Sequence, residues 1–125
     1  MTARPKTSVH FTNTDFANCV PPCSINDMNQ TTLNKLDAVA SFLGRKPVLT
    51  SAFRSPAHDI AEGRSGTGAH TAGRAIDIAC TTSKDRMKVV EAGLKAGFRR
   101  IGIESSFVHL DDSPTRAQNV IWLYE

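Results

Sequence analysis

A carboxylate inside an apolar strand is the strongest constraint in this sequence. The run Arg74–Cys80 reads Arg-Ala-Ile-Asp-Ile-Ala-Cys and alternates as a β-strand, with Ile76 and Ile78 on one face and Ala75, Asp77 and Ala79 on the other. A buried, ionised Asp77 is costly unless a hydrogen bond, a countercharge or a metal compensates it. Ala75 and Ala79 leave a hollow beside it, where a packing face would carry Val or Leu. The fold must therefore bring a compensating group to Asp77. An ion pair with Arg74 is one solution and a divalent metal is another.

Two histidines are candidates for the second solution. His70 sits in the loop entering that strand. In Phe107-Val108-His109-Leu110-Asp111, alternation puts Val108 and Leu110 on one face and His109 and Asp111 on the other. Two imidazoles and one carboxylate suit zinc and leave a fourth position for water. Spacing alone leaves open the plainer alternative of a surface His70 and a packed His109.

The rest of the chain reads as alternating helices and strands. Leu33, Leu36, Val39, Ala40 and Leu43 recur at helical spacing, which predicts a helix over Thr31–Leu43 with Asn29 or Thr31 as N-cap and Gly44 as stop. Pro47–Phe53 predicts a strand that closes on Arg54-Ser55-Pro56, and residues 57–69, with Gly63, Gly66 and Gly68, a surface loop. A second helix is expected from Ser83 or Thr82 through Lys95, with Met87, Val90, Ala92 and Leu94 as its apolar positions and Gly97 ending it. Strands over Arg100–Ile103 and Phe107–Leu110 are joined by Glu104-Ser105-Ser106 in a hairpin, and Val120–Tyr124 adds a last strand. Residues 1–29 are polar and turn-rich and are expected to wrap the surface, with Phe11 and Phe16 able to reach the core. The pattern predicts one α+β domain over 1–125, built on a small, largely antiparallel sheet with flanking helices.

Composition narrows the functional classes. The net charge is only +3, with one Trp and one Tyr, and no Lys/Arg block is interleaved with aromatics, which argues against nucleic-acid binding. No apolar run approaches the roughly 20 residues that span a bilayer. The polar stretch Met1–Thr7 lacks the apolar core of a secretory signal. Three cysteines exclude a complete disulfide framework. Cys19 and Cys23 can bridge each other or bind a metal with a partner such as His10, and Cys80 is expected to be a buried thiol. His58, Asp112 and Arg116 read as loop residues, the latter two as a surface pair. Trp122 reads as either groove wall or core.

Three motifs carry a family resemblance. Ser51-Ala-Phe-Arg54, then His70-Thr-Ala-Gly73-Arg-Ala75-Ile-Asp77, then Phe107-Val-His109-Leu-Asp111 follow the order S-x-[YF]-R, H-x-x-G-x-A-x-D and [FY]-V-H-[LV]-D. In this the chain resembles the M15 zinc peptidases, the D-alanyl-D-alanine carboxypeptidases and phage endolysins that share a fold with hedgehog signalling domains. The resemblance runs from about Phe11 to Trp122. It implies Zn2+ held by His70, Asp77 and His109, Arg54 on a substrate carboxylate or carbonyl, and Ser51 beside the site. The implied substrate is the peptide of bacterial peptidoglycan, and a monomer is expected. The implied setting is a phage-encoded protein made in the host cytoplasm and acting at the wall or periplasm, after release or in a virion.

The sequence departs from that family at the general base. Many relatives carry an acidic residue three positions before the last histidine ligand, and here that residue is Ser106. Asp111 and Glu104 are the candidate substitutes, Asp111 favoured because it shares a strand face with His109. The absent base keeps a non-catalytic alternative open: a zinc-bearing binding domain or phage structural part with the same fold.

Overall fold

The strand containing Asp77 becomes an interior strand of a five-stranded sheet, paired on both sides. A computed structural model describes residues 5–124, so the first residues of the polar stretch Met1–Thr7 lie outside the described residues. Five strands form, β1 (Leu49–Ser51), β2 (Ala75–Ala79), β3 (Arg100–Ile103), β4 (Phe107–Asp111) and β5 (Val120–Leu123), in the order β1-β2-β4-β3-β5. Pairs β1–β2, β2–β4 and β3–β4 are antiparallel, whereas β5 runs parallel to β3. The sheet is thus mixed. Strand β4, antiparallel to β3, returns the chain to the end where β3 starts, and residues 112–119 carry it past β3 to begin β5 on the far side. Strand periodicity carries no sign of this.

One face of the sheet is the core. Ile76, Ile78, Ile101, Val108 and Leu110 are fully buried there. Over them pack α2 (Gln30–Leu43) and α4 (Ser83–Ala96), which also contact each other. The α2 N-cap is Asn29, whose side chain accepts from the amides of Thr31 and Thr32, and Gly44 closes the helix in the left-handed conformation. Thr82 caps α4. The packed face of α4 differs from the expected stripe: Met87 is 67% exposed and Leu94 37%, while Val89, Ala92 and Gly93 are buried. The cause is close approach. A Cβ on Gly93 would lie 2.7 Å from Leu110 Cδ2, so α4 seats on β4 through its small residues rather than its large ones.

Two segments differ from expectation. Residues expected to be loop begin with helix α3 (Pro56–Ala61), whose Ser55 N-cap accepts from the His58 amide and whose first residue is Pro56. It is too short for a periodic signal. The N-terminal segment does more than wrap the surface. Before, within and after a short helix, α1 (Asn13–Ala17), it places Phe11, Phe16, Cys19 and Met28 in the core. Asp37 of α2 holds its start, accepting from Ser8 Oγ (2.7 Å), the Val9 amide (2.9 Å) and the His10 amide (3.0 Å). The three cysteines are free thiols, Cys80 buried as expected. The His10 ring contacts Ser41 Oγ at 3.1 Å, away from any cysteine–metal grouping. Among the described residues no helix is long and apolar enough to cross a membrane.

Gly73 joins this segment to the strand of Asp77. Its φ is +69°, and a Cβ there would lie 2.5 Å from the Asp27 carbonyl oxygen. Its own carbonyl accepts from the Asn29 amide at 2.9 Å. Both the left-handed backbone and the backbone contact exclude a side chain. Gly73→Ala is expected to lower unfolding free energy by about 2 kcal/mol or more, from the conformational cost plus the clash, read by chemical denaturation. An unchanged midpoint would contradict this contact.

Candidate metal centre

Register assembles the site. On the face opposite the core, Ser51 is paired with Asp77, Asp77 with His109, His109 with Gly102, and Gly102 with Trp122. One row across the sheet thus carries residues from all five strands. Asp77 and His109 are buried, and His70 approaches from the turn before β2.

The hydrogen bonds define which ring nitrogens face inward. His70 Nδ1 lies 2.6 Å from the Ala52 carbonyl oxygen. A carbonyl only accepts, so Nδ1 carries a proton and Nε2 points inward, 3.5 Å from Asp77 Oδ2. His109 is held between two carboxylates, with Nδ1 2.9 Å from Asp77 Oδ1 and Nε2 2.7 Å from Asp111 Oδ2. His70, Asp77 and His109 each offer a ligand atom, all within 4.8 Å of one another. This trio could hold a metal ion. The donor set fits one, since Asp111 can accept a hydrogen bond from His109 Nε2–H while Nδ1 gives its lone pair to a cation, the arrangement in which an outer carboxylate orients a ligating histidine. Arg74, the other countercharge considered for Asp77, pairs with Asp112 instead.

Charge follows this geometry. Burial works to raise the Asp77 pKa, but the hydrogen bonds and charges of His109 and His70 outweigh it and hold it at about 2. For His109, burial acts to lower the pKa, and the two carboxylates Asp111 and Asp77 prevail and raise it. Asp111 is lowered against its own burial by His109, the Ser113 amide and Arg100.

The expected site residues fall into two groups. Asp111 lines the pocket beside the trio, together with His70, His109, Arg100, Arg116 and Trp122. Its Oδ1 accepts from Arg100 Nε (2.8 Å) and the Ser113 amide (3.1 Å). Glu104 is turned away: its carboxylate accepts from Ser105 Oγ, the Ser106 amide and Ser106 Oγ within the hairpin turn. Ser51 Oγ is buried with no hydrogen-bond partner, in the strand position next to Asp77. The Arg54 amide donates to the His70 carbonyl at 3.3 Å, and its guanidinium is largely buried.

Several contributors had no sequence signal. Asp59, buried on α3, pairs with Arg54 Nη1 at 3.0 Å and accepts from the Gly66 amide at 2.9 Å. Arg54 Nε remains without a partner. Arg100 stacks over Trp122 at 5.1 Å, and the Trp122 ring lies 5.3 Å from that of His109. Gly102 makes this possible, because a Cβ there would lie 2.7 Å from Trp122 Nε1 and 2.6 Å from Tyr124 Cε2. Asp112 and Arg116 do not form the expected surface pair. Asp112 is buried against Thr32 Oγ1 (2.6 Å) and Lys35 (3.2 Å), while Arg116 reaches the Thr67 carbonyl. His58 pairs with Glu62, outside the site.

A profile of the Peptidase M15 family matches residues 9–111. The chain belongs to the Peptidase M15 family. No curated protein and no solved structure matches it. The matched span of this M15 chain contains Arg54 and all three members of the trio.

The metal-free site has a stability window in pH. Asp77, depressed from its ordinary value of 3.8, contributes fully above that value and loses its contribution as pH falls toward about 2. His109, raised from 6.5, contributes fully below that value and loses its contribution as pH rises through its raised pKa. For metal-free protein, Asp77→Asn is expected to cost about 2 kcal/mol near pH 5 through this linkage. The difference should shrink as pH approaches 2, measured by denaturant titration at each pH. A difference constant over this range would refute the coupling.

Proposed function

We propose that this M15 chain is a zinc-dependent peptidase that hydrolyses peptide bonds of bacterial peptidoglycan. The observation that carries the reading is the convergence of His70 Nε2, Asp77 and His109 Nδ1 in one buried cluster open to a pocket. Zinc held there would supply Lewis acidity toward a peptide carbonyl and would activate water.

The chain's own residues supply the rest. Arg54, held by Asp59, has Nε unpartnered and is the proposed group for a substrate carboxylate or carbonyl. Ser51 Oγ, also unpartnered beside Asp77, offers a further polar contact. Trp122 forms one wall of the pocket. Asp111 is the proposed proton acceptor and Glu104 is not drawn on, because Asp111 lines the pocket while Glu104 is committed to its turn. A carboxylate oxygen has two lone pairs, so Oδ2 can accept from His109 Nε2 and from a second donor. Trimming of a terminal D-alanine and cutting of an internal bond both fit this chemistry, and the proposed setting is the cell wall, with the chain acting as a monomer from a phage.

A second reading rests on a specific observation: both Asp111 oxygens already hold protein donors. On that reading the domain binds zinc and wall peptide without cleaving.

Digestion of purified peptidoglycan with and without chelator tests the proposal. Chelator and His70→Ala are each expected to abolish peptide release, and added zinc to restore it only to the chelated wild type. Asp111→Asn is expected to lower kcat by about a hundredfold or more. Release that survives both chelator and His70→Ala would sink the zinc mechanism. Stoichiometric zinc with no release would establish the binding domain.

A further inference from the structure

The Cys19–Cys23 pair lies outside the metal centre and is used by none of the chemistry above. Both residues fold onto the C-terminal end of α1. The Cys19 and Cys23 amides converge on a single acceptor, the Phe16 carbonyl oxygen, at 3.2 and 3.1 Å. Their sulfurs rest on adjacent carbonyls, Cys19 Sγ 3.6 Å from that of Asp15 and Cys23 Sγ 3.8 Å from that of Phe16. Sharing one acceptor keeps the two amide nitrogens no more than about 6.3 Å apart, which is compatible with the roughly 4.4–6.8 Å between Cα atoms that a disulfide spans. The two thiols are unequal: Cys19 is 2% exposed, whereas Cys23 is half-buried and open to a small reagent. Cys80 belongs to a different part of the molecule, where its sulfur contacts the Thr82 carbonyl.

We propose that Cys19 and Cys23 form a reversible disulfide, with Cys23 reacting first with a small-molecule disulfide and Cys19 resolving the mixed intermediate. The Cys23 thiolate attacks one sulfur of oxidised glutathione, whose S–S bond breaks to release one glutathione thiolate. The Cys19 thiolate then attacks the Cys23 sulfur and expels the second glutathione. Two electrons pass from the cysteines to the glutathione disulfide, and the two cysteine protons end on the departing thiolates. The inequality of the two thiols favours this order. The neighbouring Cys19 thiol holds Cys23 below its ordinary thiol range, while Cys23 and burial push Cys19 up. Once Cys23 is capped, its negative charge no longer opposes ionisation of Cys19.

The location gives the bond a structural consequence. The Val20 amide, between the cysteines, donates to the Thr50 carbonyl of β1 at 3.0 Å. Two residues further along the chain from Thr50, the Ala52 carbonyl holds His70. Closing the loop therefore pins the α1 segment to the strand that leads to the metal centre.

The test is intact-mass analysis and thiol counting on the full chain in glutathione redox buffer. Wild type is expected to lose two thiols and two hydrogens, to keep Cys80 alkylatable after denaturation, and to return to three thiols in reducing buffer. Cys19→Ser is expected to trap one glutathione on Cys23, and Cys23→Ser to stay unmodified at Cys19. The oxidised wild type is expected to melt several degrees higher, on the order expected for a short closed loop. Three free thiols retained in oxidising buffer would overturn the proposal. So would a bridge involving Cys80, or zinc bound to the pair in place of a bond. None of these readouts depends on peptidase activity.

Discussion

The contact between Asp77 and His109 depends on a single choice of strand register. Side chains alternate with period two, so a one-residue slip of β4 along β2 would turn His109 toward the helices and expose Val108. Burying Ile76, Ile78, Val108 and Leu110 together selects the register that sets Asp77 against His109. The apolar face thus specifies the polar one. The core supplies the free energy, and the opposite face receives a carboxylate and an imidazole at 2.9 Å as a geometric consequence.

The same register explains why the remaining parts of the site are where they are. Gly102 faces His109 and has no side chain, so Trp122 and Tyr124 can lean over the gap from β5. Arg100, two residues before Gly102, is paired in register with Asp111, and the two side chains bond at 2.8 Å. Asp111 in turn fixes the far nitrogen of His109. The chain of contacts Trp122–Arg100–Asp111–His109–Asp77–His70 runs through side chains from four strands and a turn, those on strands placed by the ladder beneath them.

Motif residues and partner residues differ in how far sequence reaches them. His70, Asp77 and His109 were readable because each sits in a local pattern: a loop entering a strand, a carboxylate among alanines, a histidine alternating with valine and leucine. Asp59 and Arg100 carry no such mark, since their meaning comes from a partner that is distant in space or hidden behind a turn. Helix α3 is too brief for periodicity, and α4 presented a stripe of large residues while the sheet accepted its small ones. Strand alternation favoured Asp111 over Glu104 as the carboxylate near His109. The pocket that Asp111 lines and the turn that holds Glu104 separate them further.

The sequence by itself determined the α+β class, the two main helices with their caps, and the three motif residues that meet at the centre. These depend on local periodicity, on backbone freedom at a few glycines, and on the incompatibility of a bare carboxylate with an apolar strand. The tertiary structure alone decided the parallel placement of β5, the face on which α4 packs, the pairing of Asp59 with Arg54, and the position of Asp111 behind His109. The first two are settled by steric fit between segments far apart along the chain, and the last two by charge pairing across a turn or along one strand. None of these interactions leaves a periodic trace in the order of residues.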